Sequence, residues 1–323
     1  MHFTSTVPLN HFGINVQQVV DAFPEDHEHM AYVPRKKELY HFRVTMLRRF
    51  TEWLYNPEGD ACLLVGPTGS GKTSLVEQIA ARLRWPTITV SAHSRMEMPE
   101  LTGYNLPYTD PVSGDLQTRF VDGPLTKAMR EGFIFVLDEY DTLDPAVSVG
   151  LHAVLEGRPL VIPENGGEII HPHPNFRFVA CGNTAGQGDE NSLYAATMQQ
   201  NLATLDRFRV YEVPYIDKKD ELALLAVTSP DLGDVTREAM VEIATSIRNR
   251  HEGKDGGNFL SVTMSTRTLL RWGRIACAYM DLGEEAPLKT ALEEALLNRC
   301  DAVQRLAINQ IAKSVIGNTW DEN

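Results

Sequence analysis

Residues 66–74 read Gly66-Pro67-Thr68-Gly69-Ser70-Gly71-Lys72-Thr73-Ser74, and the run from Gly66 to Thr73 fits the phosphate-cradling pattern G-x-x-x-x-G-K-[ST]. Each residue type has a task there. Glycines let backbone N–H groups approach phosphate oxygens, and a helix beginning at the loop adds its partial positive charge. A lysine reaches the β- and γ-phosphates, and the hydroxyl after it can hold Mg²⁺. A second constellation follows at Phe133-Ile134-Phe135-Val136-Leu137-Asp138-Glu139, an apolar run ended by two acids. Asp138 can hold the hydration shell of Mg²⁺, and Glu139 can orient and deprotonate a water. A third apolar run, Phe176 to Cys181, ends in Gly182-Asn183-Thr184, where Asn183 can help to position that water. Together these residues describe a site that binds and hydrolyses a nucleoside triphosphate.

Elements must hold these residues at one place. Ala61-Cys62-Leu63-Leu64-Val65 suits a buried strand, and Leu75, Val76, Ile79, Ala80 and Leu83 recur at helical spacing up to Trp85-Pro86. Acids at the C-terminal end of an apolar strand lie where ligands bind in open α/β sheets. Thr87 to Ser91 predicts another strand. Tyr104–Leu106 with Leu116–Thr118, and Leu160–Ile162 with Glu168–Ile170, predict two inserted hairpins, the second turning at Asn165-Gly166. Asp144 to Glu156 predicts a helix capped by Asp144, with Pro145 at its first position. Before the phosphate loop, His11–Phe23 and Lys37–Tyr55 carry helical periodicity. After a short strand at Val210–Val213, helices are expected at Asp217–Thr228, Asp234–Arg250, Ser265–Met280 and Pro287–Val315. The expected division is an N-terminal helical extension (1–55), an α/β nucleotide-binding domain (56–215) and an α-helical lid (216–323).

Composition narrows the class. The chain has 323 residues, 43% hydrophobic and 23% charged, as in ordinary globular proteins. No apolar run is long enough to span a bilayer, which makes the cytoplasm the expected location. Four scattered cysteines lack a C-x-x-C pair and read as reduced core thiols. His171-Pro172-His173-Pro174 reads as an extended run rather than a metal site. A formal net charge of −13 opposes a broad nucleic-acid surface.

The phosphate loop, the strand ending Asp138-Glu139, the later strand ending at Asn183, the arginine in Leu205-Asp206-Arg207-Phe208 and the helical tail resemble the AAA+ ATPases. The hairpins and that arginine resemble the MoxR branch. Leu137-Asp138-Glu139-Tyr140-Asp141, His171-Pro172-His173-Pro174, Leu193-Tyr194 with Gln199-Gln200-Asn201, Ser265-Thr266-Arg267-Thr268 and Phe12-Gly13-Ile14 are similar to the AAA+ subunit of aerobic cobaltochelatases (CobS-like). The resemblance implies a P-loop AAA+ core, with a parallel five-stranded sheet between helices and two inserted β-hairpins, followed by a helical lid. It implies ATP and Mg²⁺ as ligands, Lys72 and Thr73 on phosphate and metal, Asp138 and Glu139 as the Walker B pair, and Asn183 as sensor 1. Arg207 would be an arginine finger offered to a neighbouring subunit, with Arg209 as a rival, and Arg267 would be sensor 2. A homo-oligomeric, hexameric ring follows, working on a partner protein with a von Willebrand A-type domain. The alternatives are a nucleic-acid motor of the MCM-helicase kind and a nucleotide-gated scaffold. The second hairpin has no Lys or Arg between Leu160 and Ile170, and the first offers only Arg119, so the nucleic-acid reading is the weaker.

Overall fold

The computed structural model describes residues 2–14, 18–38, 40–112, 114–186, 188, 197–254, 259–317 and 320. The chain divides into two compact units, one of residues 1–66 and 71–213, the other of residues 67–70 and 214–323. Strands in the first unit are β1 (Ser5–Pro8), β2 (Val19–Ala22), β3 (Ala61–Val65), β4 (Thr87–Ser91), β5 (Gly103–Thr109), β6 (Leu116–Asp122), β7 (Ile134–Asp138), β8 (Leu160–Ile162), β9 (Glu168–Ile170), β10 (Arg177–Gly182) and β11 (Phe208–Glu212). A five-stranded parallel sheet forms in the order β11-β3-β10-β7-β4.

Successive side chains on these strands point to opposite faces, so a sheet covered on both sides needs continuous apolar runs. Cys62, Leu64, Ile134, Val136, Val179 and Cys181 join one core with Leu75, Val76, Ile79 and Leu83 of the helix Lys72–Leu83. Ala61, Leu63, Phe135, Leu137, Phe178 and Ala180 join the other, with Leu125, Ala128 and Met129 of the helix Pro124–Glu131. This alternation sets which residues end at the sheet's C-terminal edge.

The N-terminal segment covers the first of these faces, though not as two helices. The expected helix His11–Phe23 is replaced by a 3-10 turn at Leu9–Phe12 and by β2, which pairs antiparallel with β1. Gly13 (φ +75°) ends the turn, and the β-branched pair Val19-Val20 favours the extended form. The second expected helix begins only at Val44 and runs to Tyr55. Upstream, the backbone of Arg35 and Lys37 is satisfied by side chains instead of helical bonds. Gln78 accepts from Lys37 N–H (2.8 Å) and donates to Arg35 C=O (3.1 Å), while Arg82 donates to Lys37 C=O (3.2 Å).

Both hairpins form, β5 with β6 and β8 with β9. Asn105 Nδ2 joins them by donating to Glu164 C=O (2.7 Å), and Arg130 bridges Asp122 of one to Glu168 of the other. Tyr104, Leu106 and Tyr108 alternate along β5 and are 46%, 48% and 39% exposed. The predicted helix Asp144–Glu156 is two short pieces, Pro145–Gly150 and His152–Leu155, with the Asp144 side chain accepting from Ala146 N–H as foreseen.

The second unit carries the helices Lys218–Thr228, Asp234–His251, Thr266–Asp281, Pro287–Ala295 and Ala302–Ile316. The expected single helix Pro287–Val315 is broken because Leu297–Arg299 tightens into a 3-10 turn and Asp301 caps a new helix through Gln304 N–H. Trp272, Ile243, Ile247, Leu269, Leu292 and Ile308 form its core. Glu221 is buried in a two-pronged pair with Arg248 (2.9 and 2.7 Å) and accepts a further bond from Thr266 Oγ1 (2.7 Å).

Candidate nucleotide site

Adjacent strands β3, β10 and β7 end side by side, and each delivers its polar residue at the same edge. Gly182 lies opposite Val65 in the register, and Gly66 N–H donates to Gly182 C=O (3.3 Å). The loop of residues 66–71 therefore starts beside the end of β10. It closes into the helix Lys72–Leu83 through Gly71, which has φ +94° and supplies no side-chain cap. A helix N-terminus of this kind favours an anion through its partial positive charge. Gly69 has φ +73°, and a Cβ there would meet the Ser265 Cβ at 2.5 Å, so only glycine fits.

Lys72 is buried, and its ammonium donates to Gly66 C=O (2.7 Å) and to Asn183 Oδ1 (2.9 Å). Asn183 Nδ2 reaches Glu139 Oε2 at 3.3 Å. One carboxamide thus spans a cation and a carboxylate, which fixes its orientation, with oxygen toward Lys72 and nitrogen toward Glu139. Thr73 Oγ1 donates to Asp138 Oδ2 (2.7 Å). These are hard oxygen donors of the kind Mg²⁺ takes, one hydroxyl and one carboxylate, so the residues fit the ion.

Glu139 has φ +55°, a left-handed conformation that costs a non-glycine residue on the order of 1 kcal/mol. Bonds from Glu139 N–H to Asp138 Oδ1 (3.0 Å) and from Thr142 N–H to Glu139 C=O (2.8 Å) hold that turn. The residue is exposed overall. Even so, desolvation of its carboxyl, then the charges of Asp138 and Asp141, raise its pKa, while Lys72 and Asn183 oppose the shift. Burial lowers the pKa of Lys72, and Cys181 and the three acids Asp138, Glu139 and Asp141 act against it.

The structure thus gathers Gly66, Lys72, Thr73, Asp138, Glu139 and Asn183. Pro67, Thr68, Gly69 and Ser70 form the loop's tip, with Ser70 N–H bonded to Pro67 C=O (3.1 Å), and Ser74 lies in the helix's first turn. One predicted site residue of the first unit, Arg207, lies elsewhere. Arg207 C=O accepts from Ala61 N–H (3.3 Å), which places it at the opposite, N-terminal edge of the sheet. With about 3.3 Å per residue along β3, roughly 13 Å of strand separates that edge from the phosphate loop, beyond an arginine's reach. There Arg207 pairs with Glu156 (2.7 Å). Arg209 is taken up by Glu52, Glu58 and Asp60. Arg267 is an exposed residue in the first turn of the helix Thr266–Asp281, in the second unit. Leu193 and Tyr194 lie outside the described residues.

Sequence reasoning missed two buried polar residues. Asp141 accepts from Asn183 N–H (2.8 Å) and Thr184 N–H (2.9 Å). Gln200 donates to Leu143 C=O (2.8 Å) and accepts from Ser148 Oγ (2.8 Å). An acid set between the apolar residues Tyr140 and Leu143 was the available signal for Asp141.

Comparisons with known proteins agree with this geometry. Residues 61–200 match the AAA domain of the dynein-related subfamily, and residues 221–315 match the CbbQ/NirQ/NorQ C-terminal domain. The chain is 31% identical over 313 residues to the aerobic cobaltochelatase subunit CobS of Sinorhizobium sp, covering 95% of this chain and 89% of that one. It is 29% identical over 261 residues to an uncharacterised protein of Staphylococcus aureus strain NCTC 8325, covering 80% and 84%. Among solved structures, a mutant of Thermotoga maritima RuvB matches with a TM-score of 0.50 at 17% identity, covering 85% of this chain and 74% of that one.

Proposed function

This chain belongs to the MoxR-type AAA+ ATPases, the family of the aerobic cobaltochelatase subunit CobS, and we propose from that premise that it is a Mg²⁺-dependent motor that assembles into a ring and drives a partner protein. The observation that carries the reading is the convergence of Lys72, Thr73, Asp138, Glu139 and Asn183 at the ends of three neighbouring strands. In this reading Lys72 exchanges its bonds to Gly66 and Asn183 for phosphate oxygens of ATP. Thr73 and Asp138 would hold Mg²⁺, which would supply positive charge to offset that of the phosphates. Glu139 takes the proton of the attacking water, and its raised pKa strengthens it as a base. Asn183, held between Lys72 and Glu139, keeps that water and the γ-phosphate in line.

Arg207 supports the ring. It cannot serve its own chain's phosphate loop, and it borders an open cleft of about 370 Å³ walled by Glu58, Glu156, Arg158 and Asp206. A neighbouring subunit's nucleotide brought to this edge would receive the cation that a transferring phosphoryl group needs. Residues 216–323 would act as the lid, Arg267 as its sensor of the γ-phosphate, and residues 1–55 as a cover over the sheet face that packs on the helix Lys72–Leu83. The joined hairpins, with Tyr104, Leu106 and Tyr108 outward, would meet the partner, for which a von Willebrand A-type protein is the expected class. Among the described residues no helix is long and apolar enough to cross a membrane, and the cytoplasm is the proposed location. Work on a chelatase partner is the specific form suggested by the relative's name.

Steady-state ATP turnover, measured with sizing of the assembly, tests this. Wild type should hydrolyse ATP with Mg²⁺ and stop when the ion is chelated. Glu139→Gln should bind ATP and assemble, yet turn over about 10²–10⁴-fold more slowly. A Glu139→Gln variant as fast as wild type would overturn the reading.

A further inference from the structure

Asp141 is fully buried, three residues beyond Asp138 in the turn that follows β7. Its Oδ2 accepts from Asn183 N–H (2.8 Å), Thr184 N–H (2.9 Å) and, more weakly, Thr184 Oγ1 (3.4 Å). Its Oδ1 has no partner among the described residues. Burying a carboxylate costs several kcal/mol, and bonds at one oxygen offset only part of that. An apolar residue would fill the space at lower cost, as Tyr140 and Leu143 do on either side. What an apolar residue cannot do is grip two successive backbone N–H groups.

Those two groups belong to the residues that leave β10, and the first carries the carboxamide lying between Lys72 and Glu139. The grip is part of a wider anchor, because Asp141 C=O also accepts from Met198 N–H (2.7 Å). Through the Asp141 carboxylate, the turn after β7 holds the residues that leave β10. We propose that Asp141 is a positioning residue of the hydrolytic site, holding the backbone at Asn183 and Thr184 so that the Asn183 carboxamide stays between Lys72 and Glu139. This rests on the reading of Asn183 as part of that site.

Because Asp141 acts through Asn183, the two losses should not add. The experiment measures kcat, affinity for a fluorescent ATP analogue and thermal melting of the full chain, for Asn183→Ala, Asp141→Ala, Asp141→Asn and the double variant. Asp141→Ala should lower kcat about tenfold or more, as Asn183→Ala does, with nucleotide affinity within about threefold of wild type. The double variant should stay within about threefold of Asn183→Ala alone. Asp141→Asn keeps the shape and one acceptor oxygen, so it should fall between wild type and Asp141→Ala in rate and melt near wild type. If Asp141→Ala does not fold, Asp141→Asn with Asn183→Ala completes the same cycle. Wild-type turnover in the Asp141 variants beside an impaired Asn183→Ala overturns the proposal alone, as does a double variant losing the product of both effects. Wild-type turnover in Asn183→Ala overturns the underlying reading of Asn183 and the proposal with it.

Discussion

The Lys72 ammonium lies 2.9 Å from Asn183 Oδ1, across 111 residues of sequence. Parallel pairing of β3 with β10 makes this possible, because it ends both strands at one level. With Gly66 C=O as a further partner, the ammonium is held inside the phosphate loop before any nucleotide arrives. Little side-chain freedom then remains to be lost on binding.

Lys72→Ala should therefore remove both the phosphate contact and the tie between the two strand ends. Turnover is expected to fall by at least about 100-fold. A thermal shift checks binding separately. Saturating Mg-ATP at about 100 times Kd should stabilise wild type by about 2.7 kcal/mol and leave Lys72→Ala unshifted.

Glu139 sets a pH dependence. Its pKa is raised by desolvation and by the neighbouring charges of Asp138 and Asp141. A base is lost as pH falls through its pKa, so the acid limb of kcat/KM, which reports the free enzyme, should lie above the ordinary glutamate range. A pH profile of kcat/KM, taken at ATP well below KM, reads this directly, and Glu139→Gln should abolish the limb with the activity.

Much of this site was legible because its residues sit next to periodic elements. The phosphate loop is contiguous, and Asp138, Glu139 and Asn183 each follow an apolar strand, so strand ends point to them. Asp141 was not legible as a grip, since its partners Asn183 and Thr184 are distant in sequence and offer backbone groups, which no residue type advertises. The N-terminal misreading has a similar cause. Apolar residues from Phe12 to Phe23 suit helical spacing, but pairing with Ser5–Pro8 makes β2 extended. At Lys37, the side chains of Gln78 and Arg82 take the backbone N–H and C=O, and that C=O is one a helix starting there would have used. The break near Cys300-Asp301 was readable in principle, because Asp301 is a good N-cap, although the surrounding apolar period runs on through it.

The first hairpin, which the proposed function places against the partner protein, offers a separate test. A two-stranded ribbon with Tyr104, Leu106 and Tyr108 exposed gains little stability from itself. Tyr104→Ser combined with Tyr108→Ser should leave basal ATP turnover within about twofold of wild type, since surface substitutions away from a site cost about 0.5 kcal/mol or less. The same variant should lose any stimulation of turnover by the partner protein. ATPase assays with and without that partner make the comparison.

The central claim is that Arg207, at the far edge of its own sheet, completes a neighbour's site. Equimolar mixing of Arg207→Ala with Glu139→Gln tests it most directly. Each variant alone should be nearly inactive, the first having an intact base without a finger and the second a finger without a base. In mixed rings about a quarter of junctions pair an intact base with an intact finger, so about a quarter of wild-type turnover should return. Mixtures that remain as inactive as their components, or Arg207→Ala alone turning over like wild type, would contradict the account.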